Sequence, residues 1–270
     1  MPAAVRVPVL LYHSVRNAPT PGFDAWEISP ARMVTQLDQL AAAGFTTIPL
    51  SSYVRWLRGA DDVTLPERPV VITFDDGFAD FCDLVPTLLE RACPVTLFVP
   101  TAYVGGDSEW LAPEFRRPML SWSQIVDLDR SGIEIGAHAH VHRPMDTLAE
   151  SELRADVVRC RDLVQDHLGH ACDAFAYPHG YYSRRVRDAV EDAGFVRACA
   201  VKDAMSGTGD DPLAVARLFV GYHDIGRRFD LLVVDGRRRR ARHERITTRG
   251  WRTYRRTRAR IVSARGAAQV

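Results

Sequence analysis

Pro69-Val-Val-Ile-Thr-Phe74 runs straight into Asp75-Asp76-Gly77. An unbroken apolar run of this length suits a strand buried on both faces, as in parallel sheets. Two adjacent acids at its end repel each other unless a cation lies between them or water solvates both. Working outward, the same apolar signature recurs at 7–12, 45–48, 95–99, 133–136, 174–177, 196–200 and 215–220. Helical stretches lie between these runs. One starts at Pro30 with Ser29 as N-cap, carries Met33, Leu37 and Leu40 at helical spacing, and stops at Gly44. Others are expected at 83–91, 121–131, 150–168 and 184–193. Such alternation predicts an α/β fold, a distorted (β/α) barrel of about seven parallel strands. Chemistry in barrels gathers where strands end. His13, Asp75, Asp76, His138, His142 and the Tyr177-Pro-His-Gly180 turn all fall at such ends, which points to an enzyme.

The 270 residues are 46% hydrophobic and 26% charged, an ordinary globular balance that excludes wholesale disorder and a disulfide scaffold. No apolar run reaches the length of a membrane span. The opening segment lacks a charged leader pattern, so no secretory signal is expected. The five cysteines, Cys82, Cys93, Cys160, Cys172 and Cys199, are scattered and odd in number. They read as reduced thiols in a cytoplasmic chain. Charge is unevenly distributed. Residues 226–270 hold 15 Arg and three acids, a formal +12, while the rest carries 20 basic and 31 acidic side chains, a formal −11. An acidic catalytic domain over 1–225 and an Arg-rich tail over 226–270 therefore need separate readings.

Gly136-Ala-His138-Ala-His140-Val-His142 places three histidines in five residues. In a turned segment His138 and His142 share a face and His140 points elsewhere; in an extended one all three align. A solvated polar loop is the plain alternative. Two imidazoles with one carboxylate make a familiar set for a divalent metal that keeps a position open for water.

Thr73-Phe-Asp75-Asp76-Gly77, His138-x-x-x-His142 and Phe175-Ala-Tyr-Pro178-His-Gly180 resemble, in that order, three signature motifs of the polysaccharide deacetylases, carbohydrate esterase family 4. The resemblance runs from about residue 7 to 219. It implies Asp75 as the general base that deprotonates the attacking water, and Asp76, His138 and His142 as ligands of one divalent ion, most often zinc in bacterial members. It also implies the backbone N–H of His179 as an oxyanion donor, with Pro178 and Tyr181 touching the substrate. Pro8-Val-Leu-Leu-Tyr12-His13-Ser14 is similar to the start of the permuted poly-N-acetylglucosamine deacetylases, whose acid histidine lies on the first strand. His13 is then the expected acid, needed because an amine leaves poorly unless protonated, with His223 as its rival.

One departure from the family pattern stands out. Many members carry an Arg two residues before the third-motif Pro, where it orients the base; here that residue is Ala176. Asp75 is accordingly expected to lack that partner. Arg217 could pair with an acid at the site, but a surface salt bridge is the plainer account. Trp122, Tyr181 and Tyr182 could stack on a sugar, although core packing explains Trp122 as readily.

The expected function is removal of N-linked acetyl groups from an N-acetylated sugar or polysaccharide by a metal-dependent hydrolase. A same-scaffold hydrolase of a non-sugar amide and a catalytically dead carbohydrate-binding module are the alternatives. For the tail, Trp251 and Tyr254 interleave with the Arg residues. A solvated tail, contact with phosphates and contact with the anionic inner face of a membrane all fit its charge; no specific nucleic-acid partner is expected.

Overall fold

A computed structural model describes residues 5–236. Seven strands form one parallel sheet: β1 (Val9–Tyr12), β2 (Pro69–Phe74), β3 (Thr96–Val99), β4 (Glu134–Ala137), β5 (Ala174–Ala176), β6 (Arg197–Cys199) and β7 (Leu218–Phe219). Their order across the sheet is β6-β5-β4-β3-β2-β1-β7, and Thr46–Thr47 adds a short branch on β2. The sheet curls until the segment leading into β7 reaches β6. There Ala200 N–H donates to Val215 O and Val215 N–H donates to Ala198 O, both at 2.9 Å. The expected distorted barrel of seven parallel strands is thus what the chain forms.

Both faces of the strands are buried, which is why the sequence shows continuous apolar runs rather than alternation. Leu10, Tyr12, Val70, Ile72, Phe74, Leu97, Val99 and Phe175 face the helices. Val9, Val71, Phe98, Ala174 and Ala176 point inward to a second, smaller core. Small residues fit there because opposing strands converge.

Helices α1 (Pro30–Ala42), α2 (Leu50–Leu57), α3 (Val85–Glu90), α4 (Trp122–Arg130), α5 (Glu150–Leu168), α6 (Arg184–Asp192) and α7 (Arg227–Asp235) cover the barrel. The Ser29 hydroxyl accepts from the Arg32 amide at the start of α1, and Pro30 occupies its first turn, as its spelling predicts. A reciprocal Ser121–Gln124 capping box opens α4. Helix α7 opens the Arg-rich region and buries Phe229, Leu232 and Val233, so residues 227–235 pack on the body. The expected membrane contact, with Trp251 and Tyr254, lies outside the described residues. All five cysteines are free, four of them buried. Among the described residues no helix is long and apolar enough to cross a membrane.

Candidate metal centre and catalytic residues

Strand β2 ends at Phe74, and the backbone then turns sharply: Asp76 and Gly77 have φ of 74° and 67°. Short polar Asp tolerates this left-handed geometry better than most side chains, and glycine tolerates it freely. A Cβ at Gly77 would also meet Val99 at 2.9 Å. The turn replaces strand alternation, so Asp75 and Asp76 both face the same centre. After β4 a second turn, with Ala139 at φ 64°, carries the histidines. Buried Asp156 of α5 clamps it, accepting from the His140 and Val141 amides at 2.8 and 3.0 Å. His138 and His142 point inward, while the His140 ring pairs with Thr101 at 2.9 Å. Of the two geometries open from sequence, the turned one is realised.

Asp76, His138 and His142 place one carboxylate oxygen and two imidazole nitrogens within 4.8 Å of one another. Asp76 Oδ1 lies 3.5 Å from His138 Nε2 and 3.1 Å from His142 Nε2. Two ligands about 2.1 Å from a tetrahedral ion sit roughly 3.4 Å apart, so the spacing suits zinc. His138 Nδ1 bonds the Ala176 carbonyl at 2.8 Å. That bond places the proton on Nδ1 and leaves Nε2 a free lone pair toward the centre, as metal-ligating histidines require. Burial raises the Asp76 carboxyl, but the two facing imidazoles, His142 foremost, hold it well below the ordinary carboxylate range. The donors present fit a divalent ion.

Asp75 has a different partner. Arg217, fully buried, reaches across the barrel from just before β7 and grips Asp75 with two bonds of 2.7 Å. The same guanidinium donates to Thr73 Oγ1 at 3.1 Å and the Ala200 carbonyl at 3.2 Å. The surface salt bridge expected for Arg217 is therefore wrong. Ala176 does leave Asp75 without the third-motif arginine, as expected, but Asp75 is not without an arginine. A side chain from the segment before β7 lies there instead, because the strand order β2-β1-β7 puts residue 217 near residue 75 on the curled sheet. Burial pushes the Asp75 carboxyl up; the Arg217 charge and His138 more than offset it, and the group sits below its ordinary value. It is ionised, with lone pairs left to accept a proton.

His13 stands at the end of β1, its Nδ1 buried without a hydrogen-bond partner among the described residues. Burial pushes this imidazole down, against the pull of Asp76 and Asp75. His223, by contrast, is 62% exposed and pairs with Asp24 at 3.1 Å, away from the cavity. The third motif forms a tight turn in which His179 has φ 58° and Gly180 φ 70°. A Cβ at Gly180 would strike Val201 at 2.3 Å, so glycine is obligatory there. The His179 ring lies 4.7 Å from that of His142.

These groups floor a cavity of about 570 Å³. His13, His179 and Tyr181 line it with the triad and Asp75, while Pro178 is buried in the turn beneath. Tyr182 instead stacks on Tyr177, and Trp122 packs on His167 at 3.9 Å, away from the site. Five aromatic lining residues, Phe23, Trp26, Trp110, Phe115 and Phe219, have no motif spacing that marks them in the sequence.

Comparison with known proteins places the chain in a family. The profile of the family described as Polysaccharide deacetylase matches residues 62–198. YxkH of Bacillus subtilis is 22% identical over 191 residues, covering 70% of this chain and 62% of that protein. The chain thus spans less than two thirds of that relative. Among solved structures, IcaB from Ammonifex degensii superposes with a TM-score of 0.70 at 27% identity, covering 81% of this chain and 93% of IcaB. The Streptococcus pyogenes deacetylase PplD, solved with acetate, has a TM-score of 0.70 at 18% identity, over 82% and 95% of the two chains. Half of the sequence matches the family profile, and the chain belongs to the polysaccharide deacetylase family.

Proposed function

We propose that the chain is a metal-dependent hydrolase that removes the acetyl group from an N-acetylated sugar or glycan. One observation carries the reading: a His-His-Asp triad shares a cavity with a second carboxylate, Asp75, which a buried arginine keeps ionised. Family membership supplies the substrate class. A divalent ion held by Asp76, His138 and His142 would lower the pKa of a water and polarise the amide carbonyl. Asp75 accepts the proton of the attacking water, its orientation fixed by Arg217. The oxygen of the acetyl carbonyl gains charge as water adds, and the His179 backbone N–H in the Pro178–Gly180 turn opposes that charge. His13 delivers a proton to the amide nitrogen as the C–N bond breaks, leaving acetate and a free amine. The arginine on Asp75 removes the reason for regarding the chain as an inert carbohydrate-binding module.

Acetate release from a panel of N-acetyl sugars, with and without added zinc, tests this. The expected result is release that a chelator stops and zinc restores. His13→Ala should lose most turnover on acetamides but far less on an aryl acetate, whose phenolate leaves without a proton. Equal losses on both would give His13 a structural role, and metal-independent release would reject the reading.

A further inference from the structure

Trp26 lines the cavity and is 42% exposed, so its ring face is open to a ligand. It stacks on Phe23 at 5.4 Å between ring centres, and Phe23 stacks in turn on Phe115 at 5.4 Å. Inward, Trp26 meets the edge of Phe219 at 6.4 Å, and Phe219 lies 5.5 Å from His13. A continuous aromatic track therefore leads outward from the proton donor.

The track is held rigidly. Glu27, next to Trp26, forms a salt bridge with Arg117, and their side chains are 0% and 5% exposed. Thr20 joins them, donating from its amide and hydroxyl to Glu27 at 2.5 and 2.8 Å and accepting from Arg117 at 3.0 Å. Arg117 also lies over the Phe23 ring at 4.7 Å. A buried ion pair adds little stability over apolar residues of the same size, but it does fix geometry. Here it locks together the two loops that carry Trp26 and Phe115.

Composition of the wall limits what it can recognise. Outside the catalytic cluster and His179, the described lining residues offer no carboxamide, aliphatic hydroxyl or charged side chain, and Tyr181 alone adds a phenol. Such a wall reads flat apolar faces rather than the orientation of hydroxyls. His13 must reach the amide nitrogen, so the sugar bearing that nitrogen lies on the Phe219 side. Trp26 is then one step further out.

Resting on the deacetylase reading, we propose that Trp26, backed by Phe23 and Phe115, is the stacking platform for the sugar ring adjoining the one that reacts.

Calorimetric titration of the full chain with glucosamine ligands tests this without turnover, because they carry no acetyl group. The ligands are the methyl glycoside, 1,4- and 1,6-linked trimers, and the octyl glycoside. Trp26→Ala should weaken binding of at least one trimer about tenfold and shift the methyl glycoside by less than about twofold. Trp26→Tyr, which keeps a stacking face, should restore most of the trimer affinity. A melting curve checks that Trp26→Ala remains folded, as expected for a rim residue. Failure of both trimers to bind the unaltered chain, equal losses on trimer and monosaccharide, or no loss on either would overturn the platform. A loss confined to the octyl glycoside would also overturn it and assign the track to an apolar tail. The deacetylase reading stands or falls separately, on acetate release by the unaltered chain.

Discussion

Asp75 and Asp76 are adjacent in sequence, yet the barrel gives them opposite partners: an arginine for one, two histidines for the other. That division resolves the repulsion which two neighbouring acids imply. It also separates their tasks, since the residue gripped by Arg217 is not the one facing both imidazoles. Arg217→Lys keeps a positive charge but cannot form the paired bonds to Asp75. Turnover should fall about 100-fold through misorientation of the base, while bound metal is unchanged. Assay of kcat beside metal content checks this, and near-normal turnover would deny Arg217 a positioning role. Asp76, His138 and His142 were legible in the sequence because each lies in a short local motif. For Arg217 the sequence allowed a partner at the site but favoured a surface salt bridge, because 142 residues separate it from Asp75 and only the strand order β2-β1-β7 brings them together.

Strands were the most readable elements. Pro69–Phe74 has the bounds its apolar run predicts, and Glu150–Leu168 likewise matches its helical pattern. Helix α2 escaped notice: it is eight residues long, no side chain caps its start, and a serine pair interrupts its apolar pattern. Helix α7 was hidden by the arginines around it, although Phe229, Leu232 and Val233 recur at helical spacing. Between elements, Asp80 ties the short helical turn Ala79–Leu84 to the strand Ser14–Val15, accepting from Ser14 Oγ at 2.6 Å and the Val15 amide at 3.0 Å. Burial raises its pKa to about 6 despite those bonds. The folded state therefore holds this proton more tightly than the unfolded chain does. Its stabilising contribution is present at low pH and lost as pH rises through about 6, by at most about 3 kcal/mol. Asp80→Asn should flatten that part of the stability curve and raise Tm at pH 7 relative to the unaltered chain. Melting curves of both proteins at pH 5 and pH 7 check the sign. An unchanged pH dependence would show that Asp80 is not buried as an acid.

Across the whole molecule, the parallel barrel gathers strand ends from β1, β2, β4 and β5 onto one cavity floor, and the segment before β7 supplies Arg217 from within. The turns after β2 and β4 supply the three candidate ligands, while His13, the His179 turn and Arg217 come from other elements, which explains how motifs far apart in the chain yield one site. The aromatic wall above it combines Phe219 of β7 with Phe23, Trp26, Trp110 and Phe115 from the segments between strands. The central claim is that Asp76, His138 and His142 hold a divalent ion, and elemental analysis of purified protein tests it most directly. With zinc supplied, the unaltered chain should carry about one ion. Asp76→Ala, His138→Ala and His142→Ala should each lose it, while His140→Ala, whose ring faces Thr101, should keep it. Full metal in the three triad variants, or none in the unaltered chain, would contradict the account.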